Sequence, residues 1–195
     1  MRHYYEVKKL TNPVTATLDY KDLLTNDDID AYFISATPED IHFPMAKDCM
    51  EAGKHVFLEK PLSITLAEAD ELVALAEKND VKFTIGYSQR FNPKFAYLKK
   101  CLNEGTIGKP VAGLVSRHIT RGLGNKIGKR IKLSPAAMEA THDLDFLLWC
   151  LDPAKPVRVY SQSAYGAMQN VTGLEDAQWT MVTLDNGVVI TIGSG

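Results

Sequence analysis

Two stretches decide the fold: Ala31-Tyr32-Phe33-Ile34-Ser35-Ala36-Thr37-Pro38 and His55-Val56-Phe57-Leu58-Glu59-Lys60-Pro61. Each is a short apolar, β-favouring run stopped by a proline, as expected of strands buried on both faces of a parallel sheet. Between them lies a helical pattern, with Pro44 suited to its first turn and Gly53 to its end. After them Thr65-Leu66-Ala67-Glu68 forms a capping box. It opens a second helix whose Leu66, Ala69, Leu72, Val73 and Ala76 recur at helical spacing, with Asn79 as its stop. Residues 81–86 read as a third strand. The order β-α-β-α-β predicts an α/β fold that begins as a Rossmann-type, doubly wound parallel sheet.

The pattern changes further along the chain. Residues 93–104 read as a helix ending at Gly105, and 111–119 as a longer strand. Residues 120–133, rich in Gly, Lys and Arg, read as a loop. Ser134 and Pro135 suit the N-cap and first position of a helix running to about Leu151. Residues 157–164 and 175–184 read as strands. Asp185-Asn186-Gly187 signals a hairpin, and 188–192 is its return strand. This predicts an α+β domain on a mainly antiparallel open sheet. The domains are placed at 1–88 and 89–195, with the switch near 87–92. Both ends look cut. The first 30 or so residues are weakly patterned and contain no Gly-x-Gly-x-x-Gly turn, and the last strand stops within a sheet.

The composition narrows the function classes. The chain has 195 residues, 45% hydrophobic and 24% charged, with a formal net charge of -2. A balance this close to neutral supplies no general pull toward nucleic acid. No apolar run reaches the roughly 20 residues that span a bilayer. The start, Met1 to Tyr5, leads into charged residues instead of a signal core. Cys49, Cys101 and Cys150 are odd in number and widely spaced, so they read as buried free thiols and not as metal ligands. These features suit a cytoplasmic protein with no metal, no nucleic acid and no membrane partner.

A few residues could carry chemistry. Glu59-Lys60-Pro61 stands where the second strand ends, and ligands of open parallel sheets bind beyond the carboxyl ends of strands. An amine there can stabilise a developing alkoxide, although a surface lysine at a strand end is the plainer reading. The Lys60–Pro61 bond has the option of being cis. His142 and Asp145 are three apart on the predicted helix, so the carboxylate could orient an imidazole acting as general base. A structural His–Asp pair is the alternative. Thr37, Pro38 and His42 flank the end of the first strand, where turn chemistry and helix capping would also explain them. Gln89-Arg90-Phe91-Asn92 follows the third strand. Arg90 could hold an anionic or hydroxyl-rich group, or form an interdomain salt bridge. Arg117, Arg121, Lys126, Lys129, Arg130 and Lys132 make 117–132 basic, either as a substrate loop or as a solvated one. Asn170-Val171-Thr172 matches a glycosylation triplet and carries no weight without a secretion signal.

Taken together, Asp30 to Pro38, Glu51 to Leu62, Gly86 to Pro93 and His142-Asp143-Leu144-Asp145-Phe146-Leu147-Leu148-Trp149 resemble the Gfo/Idh/MocA oxidoreductases, the family of glucose–fructose oxidoreductase and inositol dehydrogenases. The resemblance covers roughly residues 17 to 195. It implies a Rossmann domain joined to an α/β domain whose open sheet often builds an oligomer interface. It also implies NAD or NADP as cofactor and a sugar, inositol or related polyol as substrate. Lys60 and His142 would be catalytic and touch the substrate together with Arg90. Thr37, Pro38, His42, Glu59, Lys60 and Gln89 would lie near the cofactor. Two departures stand out. Without the Gly-rich turn a pyrophosphate has no helix N-terminus to sit on, which implies weak or absent cofactor binding by these 195 residues alone. The family's acidic residue four positions before the histidine is Met138 here, with Glu139 one residue off. Glu139 can stand in only if the helix is distorted. The alternative reading is a non-catalytic sugar-binding or oligomerisation module derived from the same family.

Overall fold

A computed structural model describes residues 14–195. The reading of Met1 to Tyr5 lies outside the described residues. The chain forms two compact units. The first runs through Thr37 and then Ile41–Ile85, and the second comprises Pro38–Asp40 and Gly86–Gly195.

In the first unit β1 (Ala31–Ile34), β2 (His55–Leu58) and β3 (Phe83–Ile85) form a parallel sheet in that order. Ile34 pairs with Leu58, and Leu58 with Ile85. Helix α1 (His42–Glu51) and helix α2 (Leu66–Lys78) connect the strands. The predicted capping box is present: Thr65 accepts from the Glu68 N–H, and Glu68 accepts from Thr65. This satisfies amides that the first helical turn would otherwise leave open.

Ile34, Val56, Leu58, Ala46, Cys49, Met50, Leu72 and Ala76 make the core. The strand residues in that set share one face, so both helices cover the same side of the sheet. The expectation of strands buried on both faces is corrected here. Phe33 is 66% exposed and stacks on Phe57 at 4.6 Å. The apolar run reflected that second aromatic layer, which no described residue covers. The strands have the parallel order expected, but among the described residues the helices lie on one side only.

The second unit holds α3 (Pro93–Asn103), β4 (Ala112–Arg117), α4 (Arg121–Arg130), a π-helical turn (Ala136–Ala140), α5 (Thr141–Leu151), β5 (Pro156–Ala164), α6 (Ala167–Thr172), β6 (Ala177–Leu184) and β7 (Val189–Ser194). The sheet order is β4-β7-β6-β5. Both pairs involving β6 are antiparallel, while β4 runs parallel to β7, so the sheet is mixed. The predicted hairpin turn is present, with Gly187 at φ 87°, a conformation that glycine adopts without penalty. One face packs Val182, Leu184, Ile190 and Ile192 against Phe146, Leu147 and Cys150. The other face carries Leu114, Tyr160, Trp179 and Met181 in the open, from 46% to 80% exposed.

Residues 121–130, expected as a loop, form α4 instead. Thr120 accepts from the Leu123 N–H to cap it. Three glycines give this stretch low helical propensity, and tertiary packing overrides it. A Cβ at Gly128 would lie 2.9 Å from Thr172 Cγ2, so α6 sits where only glycine allows it. Helix α6 was also missed. Asp176 starts it by accepting from the N–H groups of Gly166 and Met168. Cys49, Cys101 and Cys150 are free and buried, in line with the sequence reading. Among the described residues there is no His, Cys, Asp or Glu group arranged to hold a metal, and no helix is long and apolar enough to cross a membrane.

Candidate active site

Each unit contributes one predicted catalytic residue. In the first unit, the carboxyl ends of two adjacent parallel strands, β1 and β2, lead into segments bearing Thr37, Glu59, Lys60 and Pro61. Lys60 is half-buried, and its backbone N–H donates to the Glu59 carboxylate at 3.2 Å. The Lys60–Pro61 peptide is cis. A nucleotide on an open α/β sheet usually sits beyond strand ends arranged in this way. Thr37 is exposed and available to it.

His42 is expected near the cofactor. It is 1% exposed, with Nδ1 2.7 Å from the Pro61 carbonyl oxygen and Nε2 2.9 Å from the Ala36 carbonyl oxygen. Both ring nitrogens thus face backbone carbonyls of this unit.

In the second unit, His142 is the second residue of α5 and meets Tyr87 edge-on, with ring centroids 6.2 Å apart at 84°. The turn carrying it is held at three neighbouring residues. Thr141 shares a hydrogen bond with the Tyr87 hydroxyl at 2.9 Å. Asp143 accepts from Arg117 Nε and Nη2 at 2.5 and 2.8 Å. Asp145 accepts from Arg90 Nε and Nη2 at 2.8 and 2.5 Å. Both arginines are held more firmly protonated than usual, chiefly by these hydrogen bonds. Bidentate pairs of this kind fix geometry as well as charge.

Two expectations change as a result. Asp145, read as the orienter of His142, commits both oxygens to Arg90. Arg90, read as a substrate ligand, has its fork filled by Asp145 and lies over Trp149 at 6.0 Å. The plainer salt-bridge alternative for Arg90 fits, but the bridge lies inside the second unit and does not run between domains. Arg117 and Tyr87 were missed as supports. The signal available was Asp143 and Asp145 two apart on a helix, which point to different sides and so need two separate cations.

Pro38 and Gln89 also belong to the second unit. Pro38 is exposed, and Gln89 is half-buried in the short 3₁₀ turn Ser88–Phe91. Next to Pro38, Glu39 is 4% exposed and pairs through both oxygens with Arg130 of α4.

The helix is distorted ahead of His142. The π-helical turn Ala136–Ala140 inserts an extra residue into the spiral. Met138 is 5% exposed, whereas Glu139 is half-buried, and its charge adds to the field that keeps Arg117 protonated. Both border a cavity of ≈ 400 Å³ formed with Thr120, Arg121, Ile127 and Met168. His142 does not line that cavity.

Comparison with known proteins bears on the fold and the family. Residues 3–87 match the Gfo/Idh/MocA sequence family, described as an oxidoreductase family with an NAD-binding Rossmann fold. Inositol 2-dehydrogenase of Salmonella typhimurium is 29% identical over 180 residues, covering 89% of this chain and 50% of that protein. The crystal structure of myo-inositol 2-dehydrogenase from Lactobacillus plantarum superposes with a TM-score of 0.86 at 26% identity, over 98% of this chain and 58% of the other. Residues 3–87 carry the Gfo/Idh/MocA family pattern, and the chain as a whole is similar to these oxidoreductases. An uncharacterized oxidoreductase of Bacillus subtilis, YrbE, is 44% identical over 94 residues, which is 48% of this chain and 27% of YrbE. The chain spans about half the length of several curated relatives it matches.

Proposed function

We propose that this protein serves NAD(P)-dependent hydride transfer between a nicotinamide ring and a carbinol carbon of an inositol, sugar or related polyol. The observation that carries the reading is Glu59-Lys60-Pro61 at the carboxyl end of the central parallel strand, in a family whose sequence description includes NAD binding.

The residues present fit a nicotinamide dinucleotide in part. Strand ends with an exposed Thr37 and a half-buried lysine offer a nucleotide crevice, while the sequence contains no Gly-x-Gly-x-x-Gly turn for a pyrophosphate. When bound, the cofactor supplies the hydride acceptor. Thr37, Glu59 and Lys60 of the first unit would border it. Lys60 polarises the carbinol oxygen through its ammonium group. His142 accepts the hydroxyl proton. The Arg117–Asp143 and Arg90–Asp145 pairs keep the helix turn bearing the imidazole from shifting. Glu139 is assigned the charge-balancing part that Met138 lacks. Inositol 2-dehydrogenase of Salmonella typhimurium is among the similar proteins, so cyclic polyols head the substrate panel.

A second reading rests on the open sheet face. Leu114, Tyr160, Trp179 and Met181 form an apolar surface suited to self-association, so the chain could serve as an oligomerisation or sugar-binding module without turnover. The experiment that separates the two readings follows reduced nicotinamide during incubation with NAD or NADP and a panel of inositols and sugars. It uses the chain itself and a version extended at its N-terminus by a relative's strand, glycine turn and helix. Turnover that disappears in Lys60→Ala supports the dehydrogenase. No hydride transfer from any polyol in either version supports the module.

A further inference from the structure

We propose that His42 is a positioning residue for Lys60, tying the chain that leaves β1 to the chain that leaves β2. The inference rests on the reading of Lys60 as catalytic, but the tether itself is a matter of geometry within the first unit.

β1 and β2 pair in register up to Ile34 and Leu58. The Glu59 N–H then donates to the Ile34 carbonyl at 2.9 Å, one step past the strands. Beyond that bond the two segments have no further ladder among the described residues. Ala36 lies two residues past β1, and Pro61 directly follows Lys60. The His42 ring bridges these two points, 2.9 Å from one carbonyl and 2.7 Å from the other. It projects from the first residue of α1, a helix held to the sheet by Ala46, Cys49 and Met50, all 0% exposed. The ring is therefore anchored from behind by the best-packed part of the unit.

At 1% exposure the His42 ring has no bulk water to take the place of these carbonyls. The two nitrogens of an imidazole point in divergent directions from a rigid plane; a neutral ring donates to one carbonyl only, so the two-point tether takes the ring protonated at both nitrogens. A lysine whose following carbonyl is fixed loses freedom in its own backbone. The half-buried amine then starts from one position instead of many, and this is how a residue outside the reacting set contributes to rate.

The test is hydrogen–deuterium exchange by mass spectrometry on the full chain, comparing the native protein with His42→Gln. The amide carries its donors on a single nitrogen and so lacks the second, divergent arm of the ring. Exchange is expected to rise about ten-fold in the segments spanning residues 35–41 and 59–65 together, with α2 unchanged. In the same variant the resonance of Lys60, labelled by reductive ¹³C-methylation, is expected to move. Acceleration in only one segment, in neither, or an unmoved Lys60 resonance overturns the proposal.

If His42→Gln loosens α2 as well, the native protein decides by NMR of the ring. Two slowly exchanging His42 ring N–H groups, one correlated with the Pro61 carbonyl and one with the Ala36 carbonyl, support the tether, and a single ring N–H or ring protons exchanging at the rate of free solvent overturn it. Turnover retained in Lys60→Ala would instead remove the enzymatic reading and leave the exchange result standing.

Discussion

At the scale of single residues, support for the site is built from buried charge. Asp143 has a side chain 8% exposed, and Arg117, at 29%, is its bidentate partner. Removing one partner leaves the other charge uncompensated in a poor solvent, which typically costs about 3 kcal/mol or more. Arg117→Met is therefore expected to lower chemical-denaturation stability by about that amount, and the Arg117→Met/Asp143→Leu double variant is expected to regain a large part of it. A double variant no more stable than the single would remove the pair from the account. Asp48 gives a second prediction. Hydrogen bonds from Tyr20 and Lys21 hold its carboxyl below the ordinary 3.8. A carboxylate lowered in the folded state contributes stability above its unfolded pKa, and that contribution is lost as pH falls through the lower folded value. Urea midpoints measured downward from pH 5 should fall more steeply for the native chain than for Asp48→Asn.

At the scale of elements, legibility followed local signals. The capping box at Thr65, the Asp185-Asn186-Gly187 turn and the helices at 66–78 and 93–103 announce themselves through residues that act on their own backbone neighbours. Helix α4 does not, because its formation depends on α6 lying against Gly128, a contact 44 residues away in sequence. The π-helical turn was foreseen only as the condition under which Glu139 could matter, since nothing in Ala136 to Ala140 marks an inserted residue. In the same way, Lys60 and His142 stood out through their motifs, whereas the roles of Arg90, Arg117 and His42 became plain only once their partners were visible. Gly128→Ala tests this packing. A Cβ would meet Thr172 Cγ2 at 2.9 Å and Leu174 Cδ1 at 3.0 Å. Overpacking of this kind costs about 1–3 kcal/mol, against up to about 1 kcal/mol gained in helix propensity. A net loss of about 1 kcal/mol and a lower Tm are expected, and a variant as stable as the native chain would show that α4 and α6 do not bear on each other.

At the scale of the whole molecule, two units divide the chemistry: strand ends with Lys60 in one, and a braced helix with His142 in the other. The open face of the mixed sheet belongs to the second unit. A paired Leu114→Glu/Met181→Lys substitution is expected to shift the sedimentation coefficient to that of a single chain while leaving the circular dichroism unchanged. A native chain that already sediments as a monomer would contradict self-association through this face.

The central claim of the proposed function is that hydride transfer needs both Lys60 and His142. A double-mutant cycle on polyol oxidation, run with the N-terminally extended version if that is the active one, tests it most directly. Lys60→Ala and His142→Ala should each lower kcat/KM by about 10² or more, and the double variant should fall little further, because groups acting as a unit are lost together. Losses that multiply, or a single variant that keeps native turnover, would show that the two residues work apart.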